Sequence, residues 1–202
     1  MRWTGVRAMV RIKEQLACRS NYGGRRTNKI EWIVMHYTGN DGDSDESNAR
    51  YFESPLNPVA SAHYFVDDDS ITRSVPDEFV AYHCGAQSYK HAHCRNANSI
   101  GVELCDARRD GAVMVTEKTL QNAAELVYWL CRQYEIPYDH IITHYMVTGK
   151  LCPAYWVHGD GLIRFRKQVE EVGEVVEQAK MIVDGKSVPV ERILKNGTNY
   201  IK

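Results

Sequence analysis

The stretch IEWIVMHYTGNDGDSD, residues 30–45, indicates the fold most clearly. Its first nine residues are rich in β-branched and aromatic side chains, which are typical of a buried strand. The Gly, Asn and Asp residues that follow favour a turn, so the strand ends near Thr38. His36 therefore lies at the carboxyl end of a strand, where open sheets commonly place their binding sites. The alternative is a histidine that only forms a hydrogen bond at a strand end.

More strands and helices are predicted on the C-terminal side of this strand. Residues 45–54 predict a short helix, and residues 61–76 predict two strands joined by the acidic turn DDDS. Residues 99–107, SIGVELCDA, predict another strand. Its Gly101 suits a place where another group packs closely against the backbone.

A long amphipathic helix is predicted next, with Thr116 as its N-cap and Pro137 after its end. The sequence HIITHY, residues 140–145, predicts a further strand, and residues 161–180 predict a second long helix. Strands alternate with helices and no Gly-rich phosphate loop is present. The fold class is therefore predicted as α/β, with a mixed central β-sheet flanked by helices.

Composition excludes several classes of protein. The chain has 202 residues, of which 44% are hydrophobic and 25% are charged, as in an ordinary globular protein. A formal net charge of −1 gives no general attraction to nucleic acid or to an anionic membrane. No run of 18 apolar residues and no signal-peptide pattern is seen, so we expect neither a membrane anchor nor export through a signal peptide.

The cysteine content indicates a reducing compartment. Six cysteines at irregular spacing are too few for a disulfide scaffold in a chain of this size. A bridge between Cys84 and Cys94 is left open.

A candidate metal site lies in HYMVTGKLCP, residues 144–153. His144 and Cys152 are separated by Gly149 and followed by Pro153, so this loop can fold back and present both side chains to one point. Zinc is commonly bound by imidazole and thiolate, and a catalytic zinc keeps three protein ligands and one open position. Taken alone, the pair is also consistent with a chance placement of His and Cys in one loop.

Five motifs in order resemble those of zinc-dependent N-acetylmuramoyl-L-alanine amidases, whose type-2 amidase fold is shared with phage endolysins and peptidoglycan recognition proteins. The motifs lie between residues 28 and 170, and they are VMHYTGN (34–40), SAHYFVDDD (61–69), AYHCG (81–85), NSIGVELC (98–105) and HYMVTGKLCP (144–153). The resemblance implies that His36, His144 and Cys152 bind Zn²⁺. Two neutral imidazoles and one thiolate leave the ion positively charged, which suits it to polarise an amide carbonyl.

The resemblance also assigns catalytic roles. Glu103 matches the glutamate that accepts a proton from the attacking water and passes it to the leaving amine. Lys150 matches a lysine beside the zinc, where an ammonium group stabilises the oxyanion. The alternatives are a solvent-facing carboxylate on an edge strand and a solvated loop lysine.

Four other histidines are not interpreted as metal ligands. His83 matches a histidine along the substrate groove and is expected to bind substrate. Some branches of the fold carry a catalytic tyrosine where this chain has Ala62, so that mechanism is excluded and His63 is expected to be structural. His91 and His93, in KHAHCRN, are interpreted as an exposed loop rather than as a second metal site.

The expected reaction is hydrolysis of the amide between N-acetylmuramic acid and the L-alanine of the peptidoglycan stem peptide. Zinc-activated water attacks the carbonyl, with Glu103 as general base. The alternatives are a peptidoglycan-binding module without activity and a zinc hydrolase of other amides. The expected partner is bacterial peptidoglycan, and nucleic acid is not expected to bind. A chain of the phage or prophage endolysin type is made in the cytoplasm and acts on the cell wall after release.

Three parts of the chain are predicted. Residues 1–27 form an N-terminal extension that packs on or precedes the catalytic domain, and residues 28–178 form the zinc amidase domain. Residues 179–202 contain Asp-Gly and Asn-Gly hairpin signals. They resemble the start of a small β-rich module related to the N-terminal domain of copper amine oxidases. This incomplete module is a candidate for homo-oligomer formation through its strand edges.

Overall fold

The computed structural model describes residues 11–40, 42–56, 59–109, 112–178, 180–183 and 186–189. In chain order the strands are β1 (Ile12–Glu14), β2 (Tyr22–Arg25), β3 (Trp32–Tyr37), β4 (Tyr64–Val66), β5 (Ile71–Arg73), β6 (Phe79–Ala81), β7 (Ser99–Leu104), β8 (Ala107–Arg109), β9 (Ala112–Met114), β10 (Ile141–Thr143), β11 (Lys180–Val183) and β12 (Lys186–Pro189). The helices are α1 (Asp45–Tyr51), α2 (Glu117–Tyr134), α3 (His144–Thr148) and α4 (Gly161–Gln178).

A six-stranded sheet forms the centre of the fold, in the order β1-β5-β4-β7-β3-β10. Strands β4 and β5 pair antiparallel, and the other neighbours pair parallel. The predicted α/β class with a mixed sheet and flanking helices is confirmed. The predicted strand at residues 30–38 is β3, which lies between β7 and the edge strand β10.

Strand alternation gives the two faces of this sheet different partners. Ile33 and Met35 of β3 belong to the main core, together with apolar residues of α2 and α4. Val34 packs in a separate cluster with Ile142 of β10. Because successive side chains on a strand point to opposite faces, His36 lies on the face of Val34, away from α2 and α4.

Helix ends follow the sequence signals. The Thr116 side chain accepts a hydrogen bond from the backbone N–H of Thr119 and caps α2, as predicted. The predicted helix at residues 45–54 is α1, capped by Ser44. Gly173 interrupts the apolar pattern of α4 because a Cβ there would lie 2.9 Å from the ring of Tyr128, so a glycine lets α4 pack closely on α2.

The strands near the two ends of the described chain differ in whether the sequence predicted them. Strands β1 and β2 were not predicted; β1 pairs with β5 at one edge of the central sheet and β2 pairs with β6. Strands β11 and β12 form an antiparallel hairpin around the predicted Asp-Gly signal at 184–185, which itself lies outside the described residues. Residues 1–10 and 190–202 lie outside them too. Within the described ranges, no helix is long and apolar enough to cross a membrane.

Candidate metal centre

Parallel pairing of β3 and β10 brings the two candidate histidine ligands together. Thr143 at the end of β10 pairs with Met35 of β3, so the next residues in each strand, His144 and His36, lie side by side. Their ring centroids are 4.7 Å apart. Thr143 also caps α3 by accepting a hydrogen bond from the N–H of Met146 at 3.2 Å, which fixes the direction of the chain at His144.

The loop after α3 brings the third candidate ligand to the same point. Gly149 has φ of 91°, a left-handed conformation that glycine adopts at little cost. The chain then folds back, and the N–H of Tyr145 donates to the carbonyl of Cys152 at 3.0 Å. Cys152 Sγ lies 3.7 Å from His36 Nδ1. The predicted reversal at Gly149 is thus observed.

The three side chains fit a metal ion. Ligand atoms of His36, His144 and Cys152 all lie within 4.8 Å of one another, and the three residues are buried. Tetrahedral zinc with ordinary Zn–N and Zn–S bond lengths places nitrogen and sulfur about 3.5 Å apart, close to the separation observed. Within the part of the chain that the structure describes, the buried His144 Nδ1 has no hydrogen-bond partner, so this atom is available to bind a metal ion.

The pKa values of these groups reflect their burial. Burial and the nearby charges of His83 and His144 hold the pKa of His36 well below its ordinary value. Burial, together with the charge of Lys150, lowers the pKa of His144 to about 4. Burial raises the pKa of the Cys152 thiol to about 12. Without a metal, the site therefore holds two neutral imidazoles and a protonated thiol at neutral pH.

Glu103 lies next to this centre because β7 is the neighbour of β3. It is the register partner of His36, and its Oε1 is 3.9 Å from His36 Nδ1. Its buried Oε2 has no hydrogen-bond partner among the described residues. Burial raises the pKa of Glu103 to about 8, Lys150 opposes this increase and Asp106 adds to it. A carboxyl group with such a pKa can exchange a proton near neutral pH.

A cavity of about 850 Å³ opens beside the candidate ligands. The side chain of Lys150 is exposed at its border, on the same loop as Cys152. The polar residues of its wall include Tyr82, His83, Gln87, Asn96 and His144. The cavity is large enough for a molecule of several tens of atoms, and one candidate ligand, His144, lies in its wall.

His83 lines this cavity, as expected for a substrate-binding residue, but its ring also contacts a candidate ligand. Its Nδ1 lies 3.0 Å from His36 Nε2, and its Nε2 lies 3.1 Å from the hydroxyl of Ser99. Gly101 provides the space, since a Cβ at this position would lie 2.6 Å from Cγ of His83. The predicted close approach at Gly101 is therefore observed.

The remaining histidines of the motifs lie outside the cluster of candidate ligands. His63 is buried, and its Nδ1 accepts a hydrogen bond from the N–H of Gly101 at 3.0 Å. His91 Nδ1 accepts hydrogen bonds from the backbone N–H groups of His93 and Cys94. Across the described residues, only His36, His144 and Cys152 form a group able to hold a metal ion.

Two residues near the site were not singled out in the sequence. Asp106 accepts hydrogen bonds from the Thr38 hydroxyl at 2.7 Å and from the N–H of Gly39 at 3.0 Å, and so holds the loop after β3. Tyr155 packs against Tyr37, and burial raises the pKa of its hydroxyl. Asp106 directly follows the motif GVELC, and this position next to Glu103 was the signal in the sequence that could have identified it as a site residue.

Comparison with known proteins agrees with this geometry. Residues 26–155 match the family model described as N-acetylmuramoyl-L-alanine amidase. The chain is 40% identical over 157 residues to a probable N-acetylmuramoyl-L-alanine amidase of Bacillus licheniformis, covering 74% of this chain and 44% of that protein. It is 37% identical over 181 residues to N-acetylmuramoyl-L-alanine amidase CwlL of the same organism, covering 84% and 49%. The chain thus spans about half the length of the curated relatives it matches.

Solved structures give the same result for the fold. A mutant endolysin from Bacillus subtilis is 26% identical, with a TM-score of 0.66, covering 80% of this chain and 99% of that one. The structure of PlyL is 29% identical, with a TM-score of 0.65, covering 79% and 96%. Both the match to the family model and the shared architecture therefore lead to one conclusion: the chain belongs to the N-acetylmuramoyl-L-alanine amidase family.

Proposed function

We propose that this chain is a Zn²⁺-dependent peptidoglycan hydrolase that cleaves the amide between N-acetylmuramic acid and the L-alanine of the stem peptide. One observation carries the proposal. The buried set of His36, His144 and Cys152 lies at a cavity and has Glu103 beside it, whose Oε2 has no hydrogen-bond partner among the described residues, in a chain of the amidase family. Peptidoglycan is then the partner, and the cell wall is the place of action.

His36 and His144 with the Cys152 thiolate would hold the ion. A Zn²⁺ ion bound by two imidazoles and one thiolate supplies Lewis acidity to an amide carbonyl and lowers the pKa of water. The thiol must lose its proton to bind the ion, whereas both imidazoles are already neutral at pH 7.

Glu103 would move the proton during hydrolysis. Attack of water on the amide requires a base, and departure of the amine requires an acid. Glu103 lies partly buried beside His36 on the adjacent strand, and one carboxylate oxygen has no competing partner within the described ranges. It can therefore take a proton from the attacking water and deliver that proton to the leaving nitrogen of L-alanine.

Lys150 would meet the negative charge that develops on the carbonyl oxygen. Its ammonium group is on the loop that presents Cys152, at the border of the cavity. A positive charge held at the site before reaction stabilises an oxyanion with little reorganisation. The polar wall with Tyr82, Gln87 and Asn96 would bind the sugar and peptide parts of the substrate.

A second candidate function is a peptidoglycan-binding module without activity. Such a module needs the cavity but neither a metal-binding thiol nor an unpaired carboxyl group. Cys152 is buried here, and the partly buried Glu103 has one carboxyl oxygen without a partner among the described residues, which favours an enzyme. A zinc hydrolase acting on other amides would have the same metal site and differ from a peptidoglycan amidase only in its substrate groove. Analysis of the reaction products therefore distinguishes the two.

The test is mass spectrometry of peptidoglycan digested by the protein. Amidase action releases intact stem peptides that begin with L-alanine and leaves glycan strands without peptides. Chelation should abolish these products and added Zn²⁺ should restore them. Glu103→Gln should lose turnover and still bind one Zn²⁺. Unchanged digestion after removal of the metal, or peptides that begin at another residue, would contradict the proposal.

A further inference from the structure

We propose that His83 and Ser99 position His36 by fixing which of its two ring nitrogens carries the proton. His83 would then act through a candidate metal ligand, in addition to lining the cavity. The inference rests on the metal centre of the proposed function, and it concerns only residues of this chain.

The direction of the hydrogen-bond chain is set at its far end. The Ser99 hydroxyl lies 2.7 Å from the backbone carbonyl of Arg95. A carbonyl only accepts, so the hydroxyl must donate its proton there. Its oxygen is then left as an acceptor for His83 Nε2 at 3.1 Å, and Nε2 must carry the ring proton.

This assignment continues through both rings. A neutral imidazole carries one N–H, so with the proton on Nε2 the Nδ1 of His83 is an acceptor. His36 Nε2 lies 3.0 Å from this atom and therefore donates to it. His36 Nδ1 is consequently left with a free lone pair. This is the nitrogen that lies 3.7 Å from Cys152 Sγ, on the side of the candidate ligands.

Burial and packing keep this arrangement in place. Ser99 and His36 are 0% and 2% exposed, so water does not compete for their hydrogen bonds. The ring of His83 lies directly over the backbone of Gly101, where any side chain would displace it. The opposite tautomer of His36 would direct an N–H at the ion and would prevent coordination through Nδ1.

The expected effect is large enough to measure. Removing a partner that orients a ligating histidine typically lowers metal affinity by about 10- to 100-fold. His83→Leu removes both hydrogen bonds, whereas His83→Asn keeps an amide oxygen near the position of Nδ1. Ser99→Ala removes the acceptor for His83 Nε2, together with the hydrogen bond to the Arg95 carbonyl, and keeps the contact between His83 and His36. Ser70→Ala is the matched control, since Ser70 is another buried serine, whose hydroxyl contacts Asp45 instead.

Two measurements test the inference at pH 8 on the full chain. Imidazole ¹⁵N shifts of the metal-free protein should show a proton on Nε2 of both His36 and His83, and Ser99→Ala should show a mixture of tautomers at His83. Competition with a chromophoric chelator should show weaker Zn²⁺ binding in the order His83→Leu, Ser99→Ala, wild type, with His83→Asn closer to wild type than His83→Leu. Ser70→Ala should bind Zn²⁺ as wild type does.

The outcomes separate this inference from the proposed function. A proton on Nδ1 of His36 in the wild-type protein would overturn the inference, and so would wild-type Zn²⁺ affinity in folded His83→Leu. If His83→Leu does not fold, the wild-type and Ser99→Ala spectra still decide. Zn²⁺ binding with the expected tautomers but without amide hydrolysis would overturn the proposed function alone.

Discussion

Replacing Glu103 by Gln should change the number of protons released when Zn²⁺ binds. In the metal-free protein the pKa of Glu103 is about 8, so roughly nine-tenths of the carboxyl groups are protonated at pH 7. The Cys152 thiol, with a pKa of about 12, is fully protonated. His36 and His144 have lowered pKa values and are already neutral, so they release no proton.

The size of the effect follows from simple electrostatics. A dication with one thiolate ligand has a net charge of about +1. At roughly 5 Å and an effective dielectric constant of about 20, this charge favours a carboxylate by about 3 kcal/mol, or about two pKa units. Glu103 would therefore be mostly ionised in the Zn²⁺-bound protein at pH 7. Wild type should release close to two protons per ion, one from Cys152 and most of one from Glu103, and Glu103→Gln should release about one.

Calorimetric titration with Zn²⁺ in buffers of different ionisation enthalpy measures this number. The same count sets the pH dependence, so near pH 7 the affinity of wild type should rise by roughly 60-fold per pH unit and that of Glu103→Gln by about tenfold. Glu135→Gln is the control, because Glu135 is an exposed residue paired with Lys29. Equal proton release by wild type and Glu103→Gln would refute the reasoning for Glu103, and no release from either would refute Cys152 as a ligand.

Three further predictions concern stability and assembly. Thr116→Ala removes the cap of α2 and should lower the free energy of unfolding by about 1 kcal/mol in a denaturant titration; no change would contradict the capping role. Gly173→Ala should destabilise the protein by about 1–3 kcal/mol despite the better helix propensity of alanine, since its Cβ would contact Tyr128; a more stable variant would show that α4 can shift. If residues 181–202 join two copies of the chain, their removal should convert an oligomer into a monomer, as measured by light scattering. An unchanged oligomeric state would contradict this role.

Several elements of the fold could be predicted because their signals are local. The stretch at residues 30–38 is rich in branched and aromatic side chains, so a buried strand followed from composition alone. Thr116 predicted the start of α2 because capping depends only on residues within one helical turn. Strand β1 was missed because it is short, largely exposed and stabilised by pairing with β5, which is distant in sequence.

In the candidate site too, some features had local signals in the sequence and others depended on residues that are distant in sequence. His144 and Cys152 were linked by a short loop with Gly149, so the sequence alone could pair them. The approach of His36 and Glu103 depended on the order β7-β3-β10 in the sheet, and before the structure only the resemblance to the amidase family placed these two residues in one site.

The sequence by itself determined the residue types of the centre, the strand that ends at His36 and the loop that returns at Gly149. Only the tertiary structure decided that His83 bonds to His36, that Ser99 sets the direction of this hydrogen bond and that Oε2 of Glu103 is left without a partner among the described residues. The physical reason is that hydrogen-bond direction and desolvation depend on atoms brought together from distant parts of the chain, whereas strand and turn preferences depend on neighbours in sequence.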